Sequence, residues 1–120
     1  MSLEDITGVK PEDCWPLDVL VTTVETTKAN ASTCPTRKNL RCFYFLHGQD
    51  TSGAANTLTI KIYNSDDTVD VTIVIKYVGF DILLWSHGNY APILRLKPGQ
   101  YITWTAAVNN VQVHAMAYDL

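Results

Sequence analysis

Oxygen-bearing side chains occupy every second position of one short stretch, as they do in calcium-binding loops. They are Asn64, Asp66, Thr68 and Asp70. A calcium loop of this type has a glycine at its sixth position and a bidentate acid at its twelfth. Here those positions hold Val69 and Ile75. The stretch is therefore better explained as a hairpin turn in which Asn and Asp side chains hydrogen-bond to nearby backbone groups.

The three histidines are the next candidates for metal binding or proton transfer. His47, His87 and His114 lack the short spacings of a zinc site. Ser86 and His87 are neighbours, but adjacent side chains on a strand point to opposite faces, so they do not form a nucleophile–base pair. We also find no phosphate-binding loop and no pair of carboxylates placed for acid–base catalysis. The sequence thus predicts a non-enzymatic protein without metal or cofactor.

The cysteines are odd in number and lack the paired spacing of a metal site. We therefore expect free thiols, in a chain made in a reducing cytoplasm, at Cys14, Cys34 and Cys42. A disulfide between Cys34 and Cys42 is the alternative. Cys42 lies inside an apolar run. We expect it to be a packing residue whose thiol pKa is raised by burial.

Aromatic residues give one candidate ligand loop. Trp85 and Tyr90 flank the segment that contains His87, and together these three residues could contact a glycan or a receptor. Most other aromatic residues fall on strands with the period of a core face, which favours packing. Tyr63 and Tyr77 belong to neighbouring predicted strands and could stack across them.

The elements that must position these residues are strands. The clearest pattern is at the C-terminus, where Ile102, Trp104 and Ala106 alternate with polar residues, as do the apolar residues after Val111. Asn tolerates the left-handed conformation of a two-residue hairpin turn, so Asn109-Asn110 predicts that these two strands form a hairpin.

Further strands are predicted upstream with the same period. They cover about residues 17–26, 40–46, 57–63, 69–77, 81–85 and 93–96. Leu58, Ile60 and Ile62 should point inward. The facing set of the next strand should be Val69, Val71, Ile73, Ile75 and Tyr77. Residues 27–36 and 48–56 should be loops. The pattern predicts an all-β, antiparallel, jelly-roll-like β-sandwich over residues 16–120, with a closed barrel as the alternative.

Composition and charge narrow the class of partner. Only 18% of the 120 residues are charged while 47% are hydrophobic, so we expect part of the surface to be covered by a partner. The net charge of −3 argues against binding the phosphate backbone of nucleic acid. The sequence has no apolar run long enough to cross a bilayer, so no membrane partner is expected.

Residues 1–15 are predicted to be an extended arm, because Gly8 and Pro11 interrupt any regular period. Its acidic residues and its spaced apolar residues are candidates for docking on this subunit or on another. These residues are Glu4, Asp5, Glu12, Asp13, Leu3, Ile6, Val9 and Trp15. A basic segment follows between Lys28 and Arg41. The two segments are either separate solvated faces or partners that pair between neighbouring subunits.

The region from about Leu40 to the end resembles small β-sandwich structural proteins of tailed bacteriophages. The resemblance rests on TLTIKIYNSDD, VTIVIKYV, APILRLKPGQYITWTAA and VQVHAMAYDL. It implies a virion protein, made in the host cytoplasm, that acts as a capsid decoration (cement) protein. The implied partners are the major capsid protein or other virion subunits, and the implied state is a homo-oligomer, with a trimer favoured. The alternative is a neck, tail or tail-fibre module that binds a receptor or carbohydrate.

Overall fold

The computed structural model describes residues 10–86 and 91–120, and these residues form two antiparallel sheets packed face to face. The strands are β1 (Trp15–Val21), β2 (Ser32–Thr33), β3 (Arg41–Gln49), β4 (Ala55–Tyr63), β5 (Val69–Val78), β6 (Asp81–Ser86), β7 (Leu94–Leu96), β8 (Tyr101–Ala106) and β9 (Val111–Asp119). Two short 3-10 helices cover Pro11–Asp13 and Lys28–Asn30. The prediction of an all-β antiparallel β-sandwich is confirmed.

The two sheets divide the strands unevenly. Sheet A has the order β1-β9-β3, and β6 and β7 share the next position because they pair with successive halves of β3. Sheet B has the order β2-β8-β4-β5. The core lies between the sheets and is filled by the inward residues of β3, β4, β8 and β9, among which Phe43, Leu58, Trp104 and Val113 are fully buried. The predicted inward set Leu58, Ile60 and Ile62 is confirmed.

The predicted C-terminal hairpin is wrong. β8 belongs to sheet B, where it pairs with β2 and β4, and β9 belongs to sheet A, where it pairs with β1 and β3. Residues 107–110 therefore cross from one sheet to the other, and neither Asn109 nor Asn110 has the positive φ of a two-residue hairpin turn. Alternation correctly identified both strands, but a period of two does not specify which strand is the neighbour.

A second crossing closes one side of the sandwich. The first strand ends at Val21, not near residue 26, because the chain then leaves sheet A and runs along the free edge of β8. The Ala106 N–H donates to the Thr22 carbonyl at 2.9 Å, and the Thr26 N–H donates to the Trp104 carbonyl at 3.1 Å. The predicted loop 27–36 contains the second 3-10 helix and β2, which covers the rest of this edge.

The turns between strands follow their residue chemistry. Asp66 accepts hydrogen bonds from the backbone N–H and the hydroxyl of Thr68, as the interpretation of this stretch as a hairpin turn predicts. Asp67 adopts φ 69° in the same turn. In the turn that leads into β8, Gly99 has φ 81° and the Gln100 N–H donates to the Lys97 carbonyl at 3.0 Å.

The three cysteines are free thiols, as predicted. Cys34 and Cys42 are buried, and burial raises the pKa of both thiols. Cys42 and Tyr118 form a small second core on the outer side of sheet A, with Cys14, Leu40 and Tyr44 packed around it. A thiol that is both buried and protonated is a poor nucleophile.

We predict that a thiol reagent such as DTNB modifies no more than one of the three cysteines in the folded protein at pH 7.5. Cys14 is the partly exposed one, whereas Cys34 and Cys42 are shielded by the sheets. All three should react once urea unfolds the chain. Rapid modification of two or three thiols without denaturant would contradict the packing described above.

Candidate functional site

Strand β5 is the far edge of sheet B and carries much of the exposed apolar surface. Within residues 10–86 and 91–120 it pairs only with β4. Four of its valines are exposed, with fractional exposures of 47% for Val69, 40% for Val71, 54% for Val74 and 78% for Val78. A long edge strand with exposed apolar residues is a template for pairing with another chain.

The inner face of β5 is only half covered. We predicted that Val69, Val71, Ile73, Ile75 and Tyr77 form one inward set, but only the last three pack against the core. A β-bulge opposite Ile62 and Tyr63 adds a residue to β5 and places Val69 beside Tyr63, out of that set. The apolar surface of β5 is therefore exposed on both faces.

An open pocket of about 470 Å³ lies at the end of β5. Val78, Ala107 and Val108 line it, and so does Lys76. Val108 is 64% exposed. The pocket therefore extends the apolar surface of β5 toward the crossing between β8 and β9.

A buried carboxylate holds this end of the sandwich together. Asp50 is 0% exposed and accepts four hydrogen bonds, two of them from the hydroxyl and the N–H of Ser52 at 2.6 and 3.0 Å. The others come from the Tyr77 hydroxyl at 2.7 Å and the Asn56 amide at 3.0 Å. The donors of Ser52, Asn56 and Tyr77 hold the pKa of Asp50 far below its usual value. Burial and the Asp50 carboxylate raise the pKa of Tyr77 to about 12.

Asn56 extends this network to the crossing between the sheets. Its amide oxygen accepts the Thr57 N–H at 2.8 Å and the Val108 N–H at 3.0 Å, and its amide nitrogen donates to the Asn109 carbonyl at 3.0 Å. These bonds give partners to backbone groups at the start of β4 and in the crossing. Sequence reasoning missed Asp50 and Asn56 because both fall in the stretch predicted as the loop 48–56, into which β3 and β4 extend.

A second polar cluster covers the outer face of sheet B. Glu25 accepts hydrogen bonds from the Tyr63 hydroxyl at 2.6 Å and from Thr103 at 3.0 Å, and Lys61 lies 3.7 Å away. Tyr63, and to a lesser extent Thr103 and Lys61, lower the pKa of Glu25. The expected Tyr63–Tyr77 stack is wrong. Tyr63 stacks on Tyr101 at 5.0 Å between ring centroids, whereas Tyr77 turns inward to Asp50.

The basic segment pairs with acids of its own chain. The Arg41 guanidinium donates to both oxygens of Asp119, at 2.8 and 3.0 Å, and to the Thr33 carbonyl at 2.8 Å. Lys28 contacts Asp67 at 2.8 Å. Arg41 thus links three strands, β2, β3 and β9, and both cations have structural roles within the subunit.

The predicted arm lies mostly outside the described residues. Leu3, Glu4, Asp5, Ile6 and Val9 fall in that part, so their docking stays a prediction. Glu12 and Asp13 are exposed at the 3-10 helix, where the Asp13 carboxylate accepts the Lys10 N–H at 3.2 Å.

Trp15 differs from the arm prediction because it already belongs to β1. It packs edge-on against Phe43 at 6.3 Å between centroids, and Arg41 lies over its ring at 4.6 Å. Trp15 therefore packs on its own subunit and not on another.

The candidate ligand loop also lies largely outside the described residues. Trp85 lies in β6, and its backbone pairs with that of Leu46 in β3. The side chain of Trp85 is not among the described parts of the chain, and neither are His87 and Tyr90. Ligand binding by these three residues therefore stays a prediction.

An acid–histidine–histidine row crosses the outer face of sheet A. His114 on β9 lies opposite Asp18 on β1 and, on its other side, opposite His47 on β3. His114 Nδ1 and Asp18 Oδ1 are 2.5 Å apart, and the two imidazole rings are parallel with 6.3 Å between centroids. Water screens charges on such an exposed face, so the pair contributes little to stability.

The comparisons with known proteins give no family. No family model matches the chain, and no curated protein matches it. In the part of the chain that the structure describes, no group of three or more His, Cys, Asp or Glu side chains is arranged to hold a metal ion. The same residues include no helix of the length and apolarity needed to span a bilayer.

We predict that Asp50→Asn lowers the free energy of unfolding at pH 7 by about 1–3 kcal/mol, because the amide cannot accept all four hydrogen bonds. The folded-state pKa of Asp50 is lowered, so its contribution is complete above the unfolded pKa of about 3.9 and is lost as the pH falls below it. The difference between wild type and variant should therefore shrink in acid, as measured by urea unfolding at pH 7, 5, 4 and 3.

The matched control for this experiment is Glu12→Gln, the same carboxyl-to-amide change at an exposed residue. It should leave the unfolding free energy within about 0.5 kcal/mol of wild type at each pH. Equal stability of the Asp50→Asn variant and wild type at pH 7 would show that the carboxylate does not organise this region.

Proposed function

We propose that the chain is a non-enzymatic structural protein of a tailed-bacteriophage virion, and that it decorates and stabilises the capsid. The observation that carries the proposal is the exposed apolar edge of β5, which suits binding to protein subunits. The bacteriophage assignment is supported by the resemblance of the segments quoted above, and the β-sandwich is the fold that this resemblance implies.

The polar clusters support a structural role. Asp50, Glu25 and Arg41 each connect separate parts of the chain, and the hydrogen bonds that they make hold crossings and edges in place. Their hydrogen bonds are made within the chain and serve the fold. They make the sandwich a rigid body that presents fixed surfaces.

Decoration would combine this rigid body with the arm. In this proposal the acidic and apolar residues before Lys10 lie across a neighbouring virion subunit, such as the major capsid protein. Each contact is weak alone, but copies that also contact one another on the shell are linked, so their contacts together give a higher effective affinity. Most of the binding energy then comes from repeated weak contacts and not from one deep pocket.

We predict that a chain without residues 1–9 folds normally but binds isolated phage capsids about tenfold or more weakly than the full chain, a loss of about 1.4 kcal/mol. The deletion stops before Trp15 because that residue packs on sheet A. Co-sedimentation with capsids measures binding, and circular dichroism of the truncated chain checks the fold.

Two outcomes would count against the proposal. If the full chain does not co-sediment with capsids, decoration is wrong. If the truncated chain co-sediments as well as the full chain, the arm has no part in binding. Lys97→Glu, a charge reversal in an exposed turn outside both the arm and the basic segment, is the control for general electrostatic effects and should not change the bound fraction.

A further inference from the structure

We infer that β5 pairs with β5 of a second copy of this chain, antiparallel and across a twofold axis at Ile73. This pairing joins two copies of sheet B, each with four strands, into one continuous eight-stranded sheet. It deepens the proposed function by naming a self-contact in the assembly. It also requires a dimer in place of the trimer that the bacteriophage resemblance implies.

The backbone of β5 provides the template. Its ten residues extend about 33 Å at the rise of an antiparallel strand, and in the described residues only one of its two edges is paired. The bulge lies at the Val69 end, so the ladder with β4 is regular from Val71 to Val78. Edge strands are usually protected by prolines, several lysines, bulges or shortness. β5 has no proline and one lysine, Lys76, and its bulge is confined to the Val69 end.

The side-chain pattern sets the register. With the axis at Ile73, the two Ile73 side chains meet, and Val71 lies opposite Ile75 of the second copy. These inner-face residues are exposed or half-buried in the single chain, so pairing brings together apolar surface that the subunit itself leaves uncovered. A register shift by one residue would place the inner face of one copy against the outer face of the other.

The charges of β5 favour the same register. Antiparallel pairing around Ile73 brings Asp70, which lies at the bulge just before the regular ladder, next to Lys76 of the second copy. The twofold axis repeats this pair at the other end. Moving the axis by one residue in either direction separates both pairs. A parallel arrangement in register would set like charges beside each other. Such complementary charges fix register and partner more than they add affinity.

The neighbouring contacts are compatible with this role for Asp70. In the single chain its carboxylate accepts a hydrogen bond from the Gln100 amide at 2.9 Å, and the side chain stays exposed. A carboxylate has capacity for several hydrogen bonds, so it can bind Lys76 of the second copy without losing Gln100. Val74 and Thr72 then lie opposite each other on the outer face, where valine and threonine suit a cross-strand pair.

Charge reversal tests the pairing. We expect wild type to sediment as a dimer in analytical ultracentrifugation, and Lys76→Glu and Asp70→Lys each to shift the dissociation constant upward by about tenfold, because like charges then oppose each other. An equimolar mixture of the two variants should regain wild-type affinity, since a heterodimer restores opposite charges at both ends. Arg37→Glu is the matched control and should dimerise as wild type does.

Each other result overturns the inference. A monomer at all concentrations up to about 100 µM, or a trimer, contradicts a twofold pair. A dimer that both variants retain at wild-type affinity lies on another surface. A mixture that stays as weak as the separate variants excludes the Asp70–Lys76 register. Circular dichroism confirms that each variant is folded, and capsid binding is measured separately, so failure of the dimer is distinguishable from failure of the proposed decoration.

Discussion

The buried carboxylate of Asp50 is the constraint on which one end of this sandwich depends. A buried charge is costly unless hydrogen bonds compensate for the lost water, and Asp50 has four such bonds. Through Tyr77 and Asn56 it connects the end of β3 to β5, β4 and the crossing that carries the chain from sheet B to sheet A. The same carboxylate thus supports, through Asn56, the place where the last two strands separate, and through Tyr77 it anchors the inner face of the edge strand.

The two crossings make the sandwich asymmetric. Residues 22–33 run along the free edge of β8 and close that side, with Arg41 and Glu25 holding the covering segments. Sheet B ends on the other side at β5, whose inner residues are only half-buried. A chain with 47% hydrophobic residues and few charges leaves apolar surface here because the described part of the molecule has nothing to cover it. The closed side gives rigidity, and the open side is where we propose that a second subunit binds.

Local periodicity predicted most of the strands but not their neighbours. Leu58, Ile60 and Ile62 were assigned to the core because alternation depends on one strand alone. β8 and β9 lie in different sheets, and the crossing between them is held by Asn56, a residue about 50 positions away, whose amide binds Val108 and Asn109. Asp50 was not predicted, because its partners are also distant in sequence. Local sequence indicates a loop at this position, and only the folded chain places Tyr77 beside it. The position of β5 at the edge of sheet B likewise depends on the order of the strands, which local periodicity does not specify.

The central claim is that this protein acts through protein contacts made at the β5 edge. Hydrogen–deuterium exchange of the peptide that covers residues 69–78, at concentrations far below and far above the dissociation constant of the dimer, tests it most directly. The claim predicts that the amides pointing away from β4 exchange quickly in the dilute sample and are protected in the concentrated one, while β4 amides change little. Equal exchange of β5 at both concentrations would contradict the claim.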